Sequence, residues 1–297
     1  QAGEQLLHKT ASIDTSPSGH EVFEGALESC LEHDIPHEVL NHQQINERFP
    51  GYELPSGHMG LLQLDGGFVL SERAIVAFVN SAVAEGAEIH ARESVLKWEP
   101  EGQGVRVFTD RAEYTAGRLV VTAGAWAGGL VPSLEELAVP ERQVLAWIQP
   151  EDPSLFSPEV FPVFNAYFDE GRYYGFPVFG IPGFKIGRYH HLEEVVDPDH
   201  MPHEVTLEDE EILRAAAAKY FPKANGTLMT LKTCMFTNTP DEHFIIDIDP
   251  TYPQVSIAAG FSGHGFKFAS VVGEILADLA IEGKTDHNID LLKIDRF

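Results

Sequence analysis

The sequence predicts an α/β protein in which a parallel-sheet domain is combined with an antiparallel-sheet domain. Short apolar segments that end in turns and adjoin helices occur early and late in the chain, as in α/β units. Between them lie aromatic, strand-like segments separated by Gly, Pro and Asp. Because the two patterns interleave, we expect residues 66–141 and 244–297 to form the parallel-sheet domain, and residues 1–65 and 142–243 the antiparallel-sheet domain.

The first α/β element is a helix predicted over residues 71–84. Ser71 is placed to act as the N-cap, and Gly86 lies where a helix C-cap is expected. A short strand over residues 87–91 should follow. The apolar residues that share one face of this helix are Ile75, Phe78, Val79, Ala82 and Val83.

The remaining α/β elements are two apolar strands with turns. Residues 119–122 lead into the turn 123–126, and residues 255–259 lead into the glycine-rich loop 260–265. This loop opens a final helix over residues 266–281. The residues that can pack on one side of it are Val271, Ile275, Leu276 and Leu279.

The antiparallel-sheet domain is predicted from short strands and two helices. One helix covers residues 21–32 with Cys30 on its apolar side, and another covers residues 207–220, where Thr206 and Asp209 are spaced for a capping box. The predicted strands are 144–148, 163–168, 172–176 and 184–189.

Composition excludes several partner classes. The 297 residues include 46 acidic residues against 20 Lys and Arg, for a formal net charge of -26, which repels nucleic acid and anionic lipid. No segment reaches the roughly 18 apolar residues of a membrane span, and no secretory leader is recognised. Two cysteines are too few for a disulfide framework, so we expect a cytoplasmic protein.

The loop 260–267, GFSGHGFK, is the strongest local signal. Gly260, Gly263 and Gly265 let backbone approach a flat or anionic ligand closely. The following helix N-terminus favours negative charge, and Lys267 adds a positive charge. A plain glycine-rich connection with an exposed lysine explains the same pattern equally well.

Two further residues have both a structural and a chemical interpretation. Cys234 lies in a strand-like segment, where a lone cysteine is commonly a small buried hydrophobic residue and reacts only in an electropositive, accessible setting. Lys185 lies between Phe184 and Ile186. Strand alternation favours an outward side chain, and a half-buried cation serving a site is the alternative.

The 14 histidines suggest a metal site, but their spacing does not support one. His190 and His191 point to opposite faces if they lie on a strand. Neither H-E-x-x-H nor C-x-x-C occurs, and a G-x-S-x-G nucleophile motif is also absent from the sequence. We therefore expect neither a metal centre nor a serine nucleophile.

The sequence resembles the monomeric sarcosine oxidase family. The relatives of that family include N-methyltryptophan and pipecolate oxidases among the D-amino-acid-oxidase-like flavoproteins. The resemblance covers nearly the whole chain. The segments that carry it are 67–71, Gly124-Ala125-Trp126, Tyr173-Tyr174-Gly175-Phe176-Pro177, 233–237, 241–247 and 258–267.

The resemblance implies a Rossmann-like FAD-binding domain and a substrate domain. It implies that Cys234 holds FAD covalently by a thioether, that Lys267 lies near the flavin as a cofactor contact and helps bind the substrate carboxylate, and that Lys185 lies near the flavin and serves oxygen activation. The side chains that it places around the amine are Tyr174, His190 and His264, and the positions that it places against FAD include Val95, Gly124, Ala125, Trp126, Phe261, Gly263 and Gly265.

The implied reaction oxidises a secondary amine that carries an α-carboxylate. Two electrons and a proton pass from the carbon next to nitrogen to FAD, and the resulting imine hydrolyses. Oxygen reoxidises the flavin and yields hydrogen peroxide. The implied partners are therefore a small amino acid and oxygen.

The sequence also departs from the family. The family begins with a βαβ unit carrying G-x-G-x-x-G for the FAD pyrophosphate, which the printed sequence lacks, so we expect the printed chain to bind FAD weakly and to have little activity. Phe236 stands where a Tyr is usual. The alternatives are a non-enzymatic folded fragment or subunit of a complex, and an amine dehydrogenase with another electron acceptor.

Overall fold

The computed structural model describes residues 3–297, which divide into two compact units. The first comprises the described residues up to Ile75 together with Arg142–Glu193 and Pro202–Cys234. The second comprises Val76–Glu141, Glu194–Met201 and Met235–Phe297. These units do not coincide residue for residue with the predicted domains, whose boundaries stay a prediction.

The strands lie close to the segments that the sequence predicts. Residues 163–168 and 255–259 match observed strands at both ends, and the predicted strands 172–176 and 184–189 differ from observed ones by one residue at one end. The strand predicted over residues 144–148 begins five residues earlier, at Val139. In chain order the strands are β1 (Leu7–Lys9), β2 (Ser12–Pro17), β3 (Glu38–Asn41), β4 (His58–Gln63), β5 (Gly67–Val69), β6 (Val95–Glu101), β7 (Gly104–Thr109), β8 (Glu113–Ala116), β9 (Leu119–Val121), β10 (Val139–Ile148), β11 (Val163–Phe168), β12 (Gly171–Phe176), β13 (Phe184–Arg188), β14 (Leu228–Asn238), β15 (Ile245–Ile248) and β16 (Val255–Ala259).

The helices follow their local signals closely. The predicted capping box is confirmed, since Thr206 Oγ1 accepts the Asp209 N–H and the Asp209 carboxylate accepts the Thr206 N–H. The α-helices are α1 (Glu21–Glu32), α2 (His42–Arg48), α3 (Ser71–Ala84), α4 (Ala127–Leu130), α5 (Leu207–Tyr220) and α6 (Ala269–Glu282). The 3₁₀ turns are Gly124–Trp126, Pro132–Leu134, Pro153–Phe156, Pro222–Ala224, Phe266–Phe268, Asp290–Leu292 and Ile294–Arg296.

The first unit is built on an eight-stranded sheet in the order β14-β10-β13-β12-β11-β2-β4-β3. Strands β11 and β2 run parallel, whereas the pairs β10–β13, β13–β12, β12–β11, β2–β4 and β4–β3 are antiparallel. One face of the sheet is covered by a fully buried aromatic core that α5 completes with Leu213, Ala217 and Tyr220. Cys30 packs with Phe23 and Leu61 at 3% exposure, which confirms its predicted core position.

The second unit contains the mixed sheet β15-β16-β9 and the antiparallel sheet β6-β7-β8. Strands β16 and β9 run parallel, with Val255 opposite Leu119. Helix α6 covers the mixed sheet with Ile275, Leu276 and Leu279, as predicted. The α/β fold class is confirmed, although the parallel sheet within the described residues is a single pair of strands with an antiparallel neighbour.

Helix α3 has the predicted bounds but not the predicted surroundings. It begins at Ser71 itself, so Ser71 is not its N-cap, while Gly86 closes its C-terminus at a φ of 96°. The predicted strand over residues 87–91 is wrong, because the segment has no hydrogen-bonded neighbour strand in the described chain. The apolar face is 37–52% exposed at Ile75, Phe78, Val79 and Val83.

Across residues 3–297, no helix is both long and apolar enough to span a membrane.

Candidate active site

Lys185 lies in the middle of three neighbouring strands in the first unit. It is opposite Trp147 of β10 and opposite Phe176 of β12. Its side chain is on the face away from the buried Phe184 and Ile186, as alternation predicts. That face is not open water, because the Lys185 ammonium is 5.1 Å from the Trp147 ring centre and 4.9 Å from that of Phe176.

The surroundings of Lys185 reduce its basicity. Burial lowers the pKa of Lys185, and the charges of Cys234 and Glu72 oppose that effect. The structure therefore favours the half-buried cation over an outward, fully hydrated lysine.

Tyr174 lies on the same strand as Phe176 and faces Gly187 of β13. A Cβ added at Gly187 would come within 2.7 Å of the Tyr174 ring, so glycine allows the ring to lie flat on the sheet. Burial raises the pKa of Tyr174 well above its ordinary value, and the charge of Cys234 acts in the same direction. Tyr174 is therefore a neutral phenol that can donate a hydrogen bond.

Cys234 of β14 is half-buried and has a free thiol. Burial raises the pKa of the Cys234 thiol, while the positive charge of Lys185 opposes that rise. The sheet of the first unit thus brings together Tyr174, Lys185 and Cys234, which lie 60 residues apart in the sequence at most.

The second unit contains a cleft of about 460 Å³, within the range of small-molecule sites. Its floor is the loop after β16, in which Gly263 has a φ of 75° and a Cβ added there would come within 2.4 Å of the Phe236 ring. The loop backbone therefore packs directly on Phe236. The residues that line the cleft are Gly124, Ala125, Trp126, Met235, Phe236, Thr237, Gly260, Phe261, Ser262, Gly263, Gly265 and Phe266.

Hydrogen bonds hold the walls of this cleft. Trp126 Nε1 donates to the Asp199 carboxylate at 2.8 Å. Lys267 Nζ donates to the His264 carbonyl at 2.8 Å, and the His264 ring contacts both Phe244 and the Glu242 carbonyl. Glycine backbone, flat rings and the positive charge of Lys267, in the 3₁₀ turn before α6, fit a planar aromatic ligand that carries negative charge.

In the first unit, Tyr174, Lys185 and Cys234 lie together. In the second unit, most of the predicted cofactor positions line the cleft. The cleft includes all the predicted cofactor positions of the second unit except Lys267 and Val95. Val95 begins β6 and is 45% exposed. His190 follows β13 in a half-buried turn, with a φ of 51°.

Sequence reasoning missed the neighbours of Lys185. Trp147 and Phe176 were not recognised as site residues, because their position beside Lys185 depends on strand register. It also missed the pairing of His191 with Asp209, at 3.0 Å between His191 Nε2 and Asp209 Oδ1.

The part of the chain that the structure describes holds no group of three or more His, Cys, Asp or Glu side chains arranged for a metal ion.

Comparison with known proteins gives a consistent family. The family model for FAD-dependent oxidoreductases matches residues 6–279. Monomeric sarcosine oxidase from Bacillus sp. (strain B-0618) is 39% identical over 98% of this chain and 76% of that protein. N-methyl-L-tryptophan oxidase from Yersinia pestis (strain Pestoides F) is 30% identical over 100% of this chain and 79% of that protein.

The fold agrees with this family. The structure of L-proline dehydrogenase from P. horikoshii superposes with a TM-score of 0.84 at 21% identity, covering 100% of this chain and 78% of that chain. NikD, an amino acid oxidase of nikkomycin biosynthesis, gives a TM-score of 0.79 at 24% identity, with 98% and 78% coverage. The resemblance found in the motifs is confirmed, and the chain belongs to the FAD-dependent oxidoreductase family that includes the monomeric sarcosine oxidases.

Proposed function

We propose that this protein uses FAD to oxidise secondary amines of N-methyl or cyclic amino acids, giving an imine and hydrogen peroxide. The observation that carries the proposal is the proximity of Cys234 to Tyr174 and Lys185, which share one face of the first unit's sheet. A free thiol can attach a flavin covalently, and a half-buried cation beside a neutral phenol can stabilise negative charge on reduced oxygen.

The second-unit cleft supports FAD as the cofactor. Gly124, Ala125 and Trp126 on one side, and Phe261, Gly263 and Gly265 on the other, would hold it. Val95 is proposed as a further FAD contact, and Cys234 as the thioether attachment. When bound, FAD supplies a two-electron acceptor for the amine.

The chain's own side chains have distinct proposed roles. Lys267 is the cation proposed to bind the substrate carboxylate, and Tyr174, His190 and His264 are proposed to line the amine site. Lys185 is proposed to stabilise the negative charge that develops as oxygen is reduced. Sarcosine, N-methyltryptophan and proline all present the carboxylate and the amine that this arrangement would recognise.

The cofactor proposal is tested with the protein expressed from its complete gene. We expect a visible flavin band that stays with the pellet after acid precipitation. Cys234→Ala should release the flavin into the supernatant, whereas Cys30→Ala, a change at the buried core cysteine, should leave it in the pellet. Flavin that remains with the Cys234→Ala pellet would refute the attachment site.

The reaction is tested by adding sarcosine, N-methyltryptophan or proline and measuring peroxide and oxygen uptake together. Equal amounts of both would support an oxidase. Reduction of an added dye without peroxide would instead identify an amine dehydrogenase.

The two free cysteines support the further proposal of a cytoplasmic location.

A further inference from the structure

Lys185 has an aromatic neighbour on each side across the sheet. Trp147 and Phe176 are its direct cross-strand partners on β10 and β12. Because partners in register point to the same face, the three side chains form one row. Both ring centres lie about 5 Å from the ammonium (5.1 and 4.9 Å), within the 6 Å reach of a cation–π interaction.

Charged groups supply little of the solvation of this ammonium. Within residues 3–297 no carboxylate oxygen lies within 4.0 Å of Lys185 Nζ. The charges that act on it are those of Glu72, whose carboxylate already accepts a hydrogen bond from Ser71, and of Cys234 if its thiol ionises. Tyr174 is held neutral nearby. The faces of the two rings are therefore the main electron-rich surfaces beside the ammonium.

We propose that Trp147 and Phe176 are positioning residues that hold Lys185 as a water-poor cation on the active face of the sheet. The proposal rests on the proposed function of Lys185 in oxygen reduction, and it adds two residues to that site. A strong ion pair would neutralise the lysine, and full hydration would screen it. Two ring faces keep the charge available to a small anionic oxygen species.

The test measures the ionisation of Lys185 directly and does not require bound flavin. Trace acetylation with acetic anhydride across pH, read on the Lys185 peptide by mass spectrometry, gives the pH midpoint at which the amine becomes reactive. The variants are Trp147→Leu, which keeps apolar bulk without an aromatic face, and Trp147→Phe, which keeps an aromatic face. Urea unfolding midpoints establish that each variant is folded.

We expect the midpoint to move to lower pH in Trp147→Leu and Phe176→Leu, by about a tenfold change in proton affinity, and to return towards the wild-type value in Trp147→Phe. Rings that act only as a cover against water would give the opposite sign, because removing them would hydrate the ammonium. A midpoint that rises or stays constant in Trp147→Leu therefore overturns the proposal.

An internal control is available on the surface of the second unit. Lys97 lies 4.6 Å from the Phe108 ring centre, but its side chain is 59% exposed and paired with Glu99. Phe108→Leu should leave the acetylation midpoint of Lys97 unchanged, because water and Glu99 solvate it.

The oxygen role of Lys185 and its positioning by the two rings are tested separately. Normal reoxidation kinetics in Lys185→Met would refute the oxygen role, while the acetylation result would still decide the aromatic positioning.

Discussion

Two cations in the first unit, Arg142 and Lys185, are removed from water in different ways. Arg142 is 3% exposed and donates two hydrogen bonds to the fully buried Asp209, at 3.0 Å to Oδ1 and 2.9 Å to Oδ2. It also donates to the carbonyls of Pro202 and Glu204. Lys185 has two aromatic faces and no carboxylate within ion-pair distance in the described chain.

The comparison separates a charge that stabilises the fold from a charge that we propose serves catalysis. A buried ion pair loses much hydration, and its hydrogen bonds must be complete for the two members to offset that cost. Arg142 and Asp209 meet this condition and anchor the start of α5. Lys185 does not, so its burial is expected to cost stability, which a functional site tolerates.

The largest expected effect is on stability, from Asp209→Asn. This change leaves Arg142 buried without its counter-charge, and we expect the free energy of unfolding to fall by about 3–5 kcal/mol. Urea denaturation at pH 7 measures it. Glu208→Gln, one residue earlier on an exposed position of α5, is the matched control and should have little effect. A similar result for both variants would show that the ion pair does not anchor the fold.

The same pair predicts a dependence of stability on pH. Burial raises the pKa of Asp209, but the hydrogen bonds from Arg142 and the Thr206 N–H outweigh burial and hold the pKa well below its ordinary value. Because the pKa is lowered on folding, the stabilisation is complete above the unfolded value of about 3.9 and is lost as pH falls below it. Urea midpoints measured from pH 5 down to pH 2 should fall more steeply below about pH 4 in the wild type than in Asp209→Asn.

Lys185→Met should change the free energy of unfolding far less than Asp209→Asn does. The change removes a half-buried cation that has no ion pair and keeps a similar apolar length, so we expect the free energy of unfolding to stay within about 1 kcal/mol of the wild-type value or to rise. Urea denaturation beside Asp209→Asn provides the comparison. A loss as large as that of Asp209→Asn would place Lys185 among the structural charges.

The smallest effect is expected at a surface pair. Lys9 lies 2.6 Å from Asp65, but their side chains are 59% and 82% exposed. Water and salt screen such pairs, and holding two mobile side chains costs entropy. Lys9→Ala should therefore leave the urea midpoint unchanged at 0.15 M salt, and a clear decrease would show that burial is not what distinguishes Arg142 from other cations.

Local sequence signals predicted the bounds of helices better than they predicted which distant residues or strands contact each other. The bounds of α3 follow from apolar periodicity, although Ser71 is not its N-cap, and the start of α5 follows from its capping box. The capping role of Asp209 was predicted, but its pairing with Arg142, 67 residues away, has no local signal. The strand over residues 87–91 failed because a strand also requires a neighbour.

The candidate site was likewise predictable only where a local motif marks it. The glycine loop and Cys234 could be named from motifs, while the rings beside Lys185 depend on the register of β10, β13 and β12. The alternation rule gave Lys185 the correct face of the sheet but no information about what covers that face. The roles of the individual residues stay predictions.

The most direct test of this account is the oxygen half-reaction of Lys185→Met, using protein expressed from its complete gene. The flavin is first reduced by the amine without oxygen and then mixed with oxygen, and its reoxidation is followed by absorbance. We predict reduction at the wild-type rate and reoxidation slowed by about 100-fold or more. Reoxidation at the wild-type rate would contradict the central claim that Lys185 is held for chemistry.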